Sequence, residues 1–319
     1  MTTANGDADV ILGEVSTALL QHSSAVTART AADLLAFTVG ERVLRSARPN
    51  SYAVSPPQLT GIDCDLPAVS RRGLRPSPVV THGVGTVLSR GVITGGQIVQ
   101  GSSYTRLRPV DGGRRLPWSH YLAQPGVIEL YGRNADADLA AGHLQPRTEP
   151  QLLNLSAISD GTIDRVQQSE HVDRRKPFES QRTHLRWVVS GAEEFQFTLV
   201  DEERHRTVRL PGIGADATAV AHLCEDIALH DWLLTTLLSL VGRVPAGSAT
   251  RDRVVARLEP AVDYLLHLWM PAARVSAALA RFWQDVERRP GLSRQWQTNV
   301  DRVRDQLSLA LIAARVHRQ

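Results

Sequence analysis

Three polar side chains with the types and spacing of a metal or acid–base site lie between Asp216 and Val244. His222, Asp226 and His230 recur every four residues, so on an α-helix they stack along one side. Residues four apart on a helix can both reach one metal ion. This stripe is the first candidate for a catalytic or metal-binding site.

A second pair with the same spacing follows at Asp263 and His267. If the two helices pack antiparallel, all five side chains can converge. The structural alternative is that His230 is a core contact, because it also belongs to an apolar seam that repeats at steps of four and three. The other seam residues are Leu223, Ile227, Leu234, Leu237 and Val241. We interpret His230 as a buried polar contact that fixes the register of the helices.

Asp63-Cys64-Asp65 places two carboxylates on the same face of an extended segment. Such a pair can bind a divalent cation or act as an acid–base pair. Leu66-Pro67 follows directly and no second acidic cluster is near in sequence. We therefore interpret the segment as a solvated loop.

Several catalytic classes are disfavoured by missing residues. Lys176 is the only lysine, so no Gly-Lys-Ser/Thr phosphate loop exists. His82-Gly83-Val84-Gly85 has Leu88 where a dinucleotide fingerprint needs its third glycine. Ser119-His120 lacks the G-x-S-x-G context of a nucleophile elbow. No cofactor is predicted.

Positive charge is carried almost entirely by arginine. Lysine and arginine together number 36, against 33 acidic residues, and the net charge is +3. Basic runs at Arg71-Arg72, Arg114-Arg115, Arg174-Arg175-Lys176 and Arg288-Arg289 can contact phosphates. Aromatic residues make up only 5% and acids are interspersed throughout, so nucleic-acid binding is not favoured.

The patterns of the first two thirds of the chain predict mainly β structure. Val10 to Leu20 is predicted as a strand, and Gly95-Gly96 as a hairpin turn. Alternation from 185 to 210 predicts a three-stranded antiparallel meander. We expect loop or edge strand over 46–75, and a short helix followed by an exposed, irregular insertion within 133–182. A further short helix is expected to begin after Thr30 as its N-cap.

Everything after Pro211-Gly212 is predicted to be helical, as an antiparallel bundle whose second helix kinks or restarts at Pro260. The predicted helices are 216–243, 250–269, 271–288 and 292–317. The fold class is therefore α+β, with a β-rich antiparallel-sheet domain over 8–212 and a helical bundle over 213–319. A chain of 319 residues is longer than one hydrophobic core ordinarily supports, so two domains are expected.

No stretch reaches the roughly 18–20 apolar residues of a membrane span, and the first residues lack a basic head and an apolar signal region. We expect a cytoplasmic protein. Cys64 and Cys224 are too few for a disulfide framework.

The stretches LPWSHYLAQPGVIELYG, LCEDIALHDWLLTTLL and PGLSRQWQTNVDRVRDQL resemble a family of uncharacterised proteins from streptomycetes and related actinomycetes. The resemblance covers most of the chain and brings no catalytic residues with it. It implies a gene cluster that also holds a variant P-loop protein and a methyltransferase-like protein.

The leading interpretation is a non-catalytic binding or scaffolding component of a cytoplasmic multi-protein system. Its partner is expected to be a protein, for which a P-loop NTPase-like protein is the candidate. The alternative is a metal- or acid–base-dependent hydrolase or transferase with its site on the 216–243 helix. Arginine-mediated nucleic-acid binding is the second alternative.

Overall fold

The computed structural model describes residues 10–70, 77–110, 114–132, 135–145, 151–191, 194–201, 204–212, 214, 216–242 and 251–316. Within these residues, ten strands form one sheet. The strands are β1 (Val10–Leu19), β2 (Leu44–Ser46), β3 (Tyr52–Val54), β4 (Gln58–Ser70), β5 (Ser77–Thr94), β6 (Ile98–Pro109), β7 (Val127–Tyr131), β8 (Thr183–Ser190), β9 (Gln196–Asp201) and β10 (His205–Pro211).

The sheet is mixed, with strand order β2-β3-β5-β7-β6-β1-β8-β10-β9; β4 pairs with β5, and β5 also pairs with β6. The predicted α+β class agrees with a sheet followed by mostly C-terminal helices. The expectation of an antiparallel sheet is inexact, because β6 and β7 are parallel, as are β8 and β10. The three-stranded meander is wrong for the same reason. Val208 and Leu210 of β10 are fully buried, whereas Leu199 of β9 is exposed. The more buried strand, β10, therefore lies beside β8, and β9 forms the edge.

The central strand β1 is buried along its whole length, because helices cover both faces of the sheet. Ile11 and Val15 face the core that contains the long C-terminal helices. Val10 and Leu12 face the opposite core. The predicted strand and the hairpin turn that joins β5 to β6 are both confirmed; Gly95 and Gly96 have φ values of 61° and 66°, which glycine adopts most readily.

Eight α-helices occur in the described ranges: α1 (Ala28–Leu35), α2 (Trp118–Leu122), α3 (Asp136–Leu144), α4 (Leu155–Gln167), α5 (Ala217–Gly242), α6 (Arg251–Pro260), α7 (Ala280–Arg288) and α8 (Leu292–Val316). Helices α5 and α8 confirm the predicted 216–243 and 292–317. After Pro260 the α6 helix changes to a π turn over Ala261–Leu265 and a 3₁₀ turn over Leu266–Leu268, as expected from the missing proline N–H.

Three local predictions are wrong, and a fourth holds for the strand β4. Helix α7 is shorter than 271–288, because Ala272 has a positive φ and donates to α5. The cap of α1 is Thr27, not Thr30. The expectation of loop or edge strand over 46–75 holds for β4, which runs for 13 residues and pairs with β5 and no other described strand; residues 71–75 lie outside the described ranges. Helix α4 replaces part of the insertion expected within 133–182 and packs against the sheet.

The largest core cluster joins the sheet to the C-terminal helices. It contains Val15 and Trp187 from the strands, Leu237 from α5 and Trp296 from α8. The division between 212 and 213 stays a prediction, but the two parts share this core. None of the described helices has both the length and the apolar composition needed to cross a membrane.

Candidate functional site

Two of the three residues of the predicted stripe on α5 are buried rather than at an open surface. Asp226 and His230 are each 1% exposed, and His222 is half-buried. Asp263 and His267 lie on the π and 3₁₀ turns and are exposed. The structure therefore brings Asp226 and His230 together in the core, whereas Asp263 and His267 face solvent.

His230 is held by a backbone bond and by two indole rings. Its Nδ1 donates to the backbone carbonyl oxygen of Asp226 over 2.7 Å. Its ring packs edge-on against the indoles of Trp269 and Trp283, with ring centroids 4.9 and 5.3 Å away. Burial lowers the pKa of His230, so the imidazole is neutral near pH 7. Its Nε2 has no hydrogen-bond partner among the described residues.

The Asp226 carboxylate connects α5 to the segment that precedes α7. Its Oδ2 accepts from the Ala272 backbone N–H over 2.7 Å, and Arg274 Nε lies 3.9 Å from Oδ1. Burial raises the pKa of Asp226, and the charge of Arg274 and the hydrogen bond from the Ala272 N–H oppose that rise. The bond holds Ala272 at φ 61°, which costs an alanine about 1–2 kcal/mol.

A buried ion pair, Arg90 with Glu225, joins α5 to β5. Arg90 Nε donates to Glu225 Oε1 over 2.7 Å. The Gln100 amide donates to the Glu225 carbonyl oxygen, and Arg274 reaches the Gln100 amide oxygen. Burial raises the pKa of Glu225, but Arg90 and Arg274 outweigh it, so the net shift is downward. Sequence patterns missed this pair, although a carboxylate inside an apolar helix is itself a signal.

The stripe on α5 is thus largely buried, and its Asp226 carboxylate and His230 ring form hydrogen bonds with backbone groups. In the part of the chain that the structure describes, no group of three or more His, Cys, Asp and Glu side chains has a geometry that could hold a metal ion. Assignment of His222, Asp226, His230, Asp263 or His267 to catalysis or metal binding stays a prediction.

A second polar cluster joins Asp63 and Asp65 to a histidine that sequence patterns did not connect with them. The two nitrogens of the His82 ring lie 3.0 Å from Asp63 Oδ1 and 3.1 Å from Asp65 Oδ1. Asp63 also pairs with Arg115. The register of β4 with β5 places Asp65 opposite His82. The expected loop is therefore a strand, and its carboxylates bind protein groups.

A cavity lies between the β9–β10 edge of the sheet and helices α5 and α8, and has a volume of about 480 Å³. Sequence patterns missed it, because its walls come from distant parts of the chain. The apolar lining is formed by Phe197, Leu199, Leu234, Leu238, Pro290 and Leu292. The polar lining includes Gln181, Thr183, Arg206, Asp231, Thr235, Thr236, Ser239 and Gln295.

Arg206 and Asp231 form an ion pair in the cavity wall, and both are buried. Arg206 Nε donates to Asp231 Oδ1 over 3.1 Å, and Nη2 donates to Thr235 Oγ1 over 3.3 Å. Burial raises the pKa of Asp231, opposed by Arg206. The pair carries no net charge, so the cavity offers hydrogen-bonding groups within apolar walls. This composition is typical of a binding site.

The arginine runs are partly neutralised. Arg115 pairs with Asp63, and Arg288 pairs with Asp285. Lys176 lies 3.6 Å from Glu179. Arg71-Arg72 lies outside the described residues.

Comparison with protein-family models, curated proteins and solved structures finds no match to this chain.

Proposed function

We propose that this protein is a non-catalytic binding component of a multi-protein system, and that the cavity between β9–β10 and α5–α8 is its binding site. The observation that carries the proposal is the cavity itself. Ligand sites in proteins typically enclose about 300–1,000 Å³, with apolar walls and a few placed polar groups. The volume of about 480 Å³ and the lining agree with that description.

The chemistry of the lining favours binding over catalysis. Arg206 and Asp231 are bonded to each other, so neither supplies a free acid or base. The Glu179 carboxylate also lines the cavity and lies 3.6 Å from Lys176. The remaining polar groups of the lining are hydroxyls and amides, which orient a bound group without reacting with it.

An uncharged fluorescent dye tests whether the cavity takes up apolar groups. Nile red should bind with a rise in fluorescence, because the cavity removes the dye from water. Leu238→Arg places a charge at the cavity and should weaken binding by about tenfold, which corresponds to about 1.4 kcal/mol.

Leu122→Arg is the matched control. Leu122 is 52% exposed and lies on α2, whereas Leu238 is 39% exposed and lines the cavity. Circular dichroism of both variants establishes that they are folded. Equal binding by Leu238→Arg and Leu122→Arg would remove the cavity as the site.

The partner that we propose is a protein. The resemblance to an actinomycete family implies a variant P-loop protein encoded nearby, and that protein is the first to test by calorimetric titration. A cytoplasmic location is part of the same proposal. No observation favours the hydrolase or transferase alternative on α5, and none favours binding of nucleic acid.

A further inference from the structure

Among the described strands, β9 lies at an edge of the sheet. It pairs with β10, and no other described strand pairs with it. Leu199 and Val200 are 55% and 45% exposed. Edge strands are commonly protected by lysine, proline or a covering element, but Gln196–Asp201 contains neither residue.

Negative charge flanks this strand on both sides in sequence. Five acidic residues, Glu193-Glu194 and Asp201-Glu202-Glu203, lie at its two ends in the sequence, and no basic residue occurs from 192 to 203. Of these five, Glu194 and Asp201 belong to the described residues. The first arginine afterwards, Arg204, donates to the Gln181 side chain. This concentration of acid contrasts with the net charge of +3 for the whole chain.

We propose that the outer edge of β9 binds an extended segment of a partner protein, with basic residues flanking an apolar centre. The segment would add a strand to the sheet and insert one apolar side chain into the cavity. This inference rests on the proposed function and specifies the partner.

Strand addition and cavity binding fit together because Leu199 belongs to both. Leu199 is part of β9 and lines the cavity with Leu234 and Leu238 of α5. A strand added to the edge lies about 4.8 Å from β9, and its alternate side chains point to the same face. A side chain on that face enters beside Leu199, and the backbone bonds to the unpaired edge of β9.

Charge complementarity selects the ends of the segment. Lysine or arginine at the two ends meets Glu194, which precedes β9, and Asp201, which ends it, whereas acidic ends are repelled. Exposed charges of this kind are screened by salt, so the affinity should fall as ionic strength rises.

A fluorescein-labelled synthetic peptide tests the inference with the full chain. Its centre is leucine between valines and threonines, and each end is lysine. Fluorescence anisotropy at low salt should show saturable binding that Leu199→Arg weakens by about tenfold. Leu122→Arg, at similar exposure, should bind as the unmodified chain does.

Two altered peptides and one pair of charge-reversal substitutions test charge complementarity and strand pairing separately. A peptide with glutamate ends should bind at least about tenfold less tightly, and one N-methylated at alternate central amides should lose binding, because it cannot pair as a strand. Glu194→Arg with Asp201→Arg should weaken binding, whereas the exposed pair Glu170→Arg with Asp305→Arg should not.

Each contrary result overturns a specific statement. Nile red binding without peptide binding overturns the peptide inference and leaves the proposed function standing, whereas failure of both overturns both. Equal binding of the N-methylated peptide excludes strand addition. Self-association that Leu199→Arg abolishes, measured by light scattering without peptide, would show that a second copy occupies the edge.

Discussion

The buried histidines make the folding free energy depend on pH. His143 lies in α3, is 7% exposed, and its Nε2 is 3.1 Å from the Gly13 carbonyl oxygen. Burial lowers its pKa from 6.5 to about 4, against the opposing charge of Glu14. The unfolded chain therefore binds a proton on this residue at a pH where the folded chain does not.

The direction of the effect follows from these two values. As pH falls from 6.5 to about 4, protonation of His143 stabilises the unfolded state but not the folded one. This residue alone should lower the free energy of unfolding by about 3 kcal/mol. Urea unfolding at pH 7, 5.5 and 4 measures this loss. His143→Gln should show a shallower decline; the same decline in both chains would exclude His143 as its source.

Asp226 allows a test of the stripe on α5. Burial raises the pKa of this carboxyl, so a neutral group is tolerated at the position. Asp226→Asn keeps an acceptor for the Ala272 N–H and should change stability by less than about 1 kcal/mol, whereas Asp226→Ala leaves that donor unpaired and should cost about 1–3 kcal/mol. Urea unfolding compares the two, and equal losses would exclude this bond as the contribution of Asp226.

At the scale of elements, substitutions of two glycines test how closely α4 packs against β6. A Cβ on Gly101 of β6 would lie 2.0 Å from the Ser159 carbonyl oxygen, whereas a Cβ on Gly161, within α4, would meet nothing within 4 Å. Gly101→Ala should destabilise the fold by about 2 kcal/mol or more, because helix and sheet must separate. Gly161→Ala should stabilise it by about 1 kcal/mol, since alanine favours helix.

Thermal unfolding of the two variants checks this pair. Opposite shifts in Tm are expected. A Gly101→Ala chain as stable as the unmodified one would contradict the close packing of α4 on β6.

Elements with strong local patterns were predictable, and those set by distant pairing were not. Helix α5 follows from its apolar seam, and the β5–β6 turn follows from Gly95-Gly96. Helix α4 was missed because it buries small and polar residues such as Ser159, which carry little periodic signal. The parallel pairing of β8 with β10 depends on burial of Val208 and Leu210, which alternation along one strand does not specify.

The candidate site also combines features that were predictable from the sequence with features that were not. The sequence placed Asp226 and His230 on one helix side, which is local geometry. It did not connect Asp63 with His82, because that contact depends on the register between β4 and β5. The cavity was not predictable either, since Leu199 and Leu292 meet there only after the sheet and the helices pack together.

At the scale of the whole molecule, the C-terminal helices cover one face of the sheet. Ile11, Leu185 and Trp187 pack in the same cluster as α5 and α8. A fragment that ends at 212 would expose this face to water, so we expect it to aggregate or to unfold without a cooperative transition. Circular dichroism and thermal melting of the fragment measure this, and a cooperative melt would establish an independent N-terminal domain.

The central claim is that the cavity binds, and leucine-methyl NMR tests it most directly. On addition of Nile red, the methyl signals of Leu199, Leu234, Leu238 and Leu292 should shift together with one saturation curve. The signals of Leu122 and Leu309, which are exposed and do not line the cavity, should stay in place. Shifts confined to exposed leucines outside the cavity, or no saturable shift at the four lining residues, would contradict the claim.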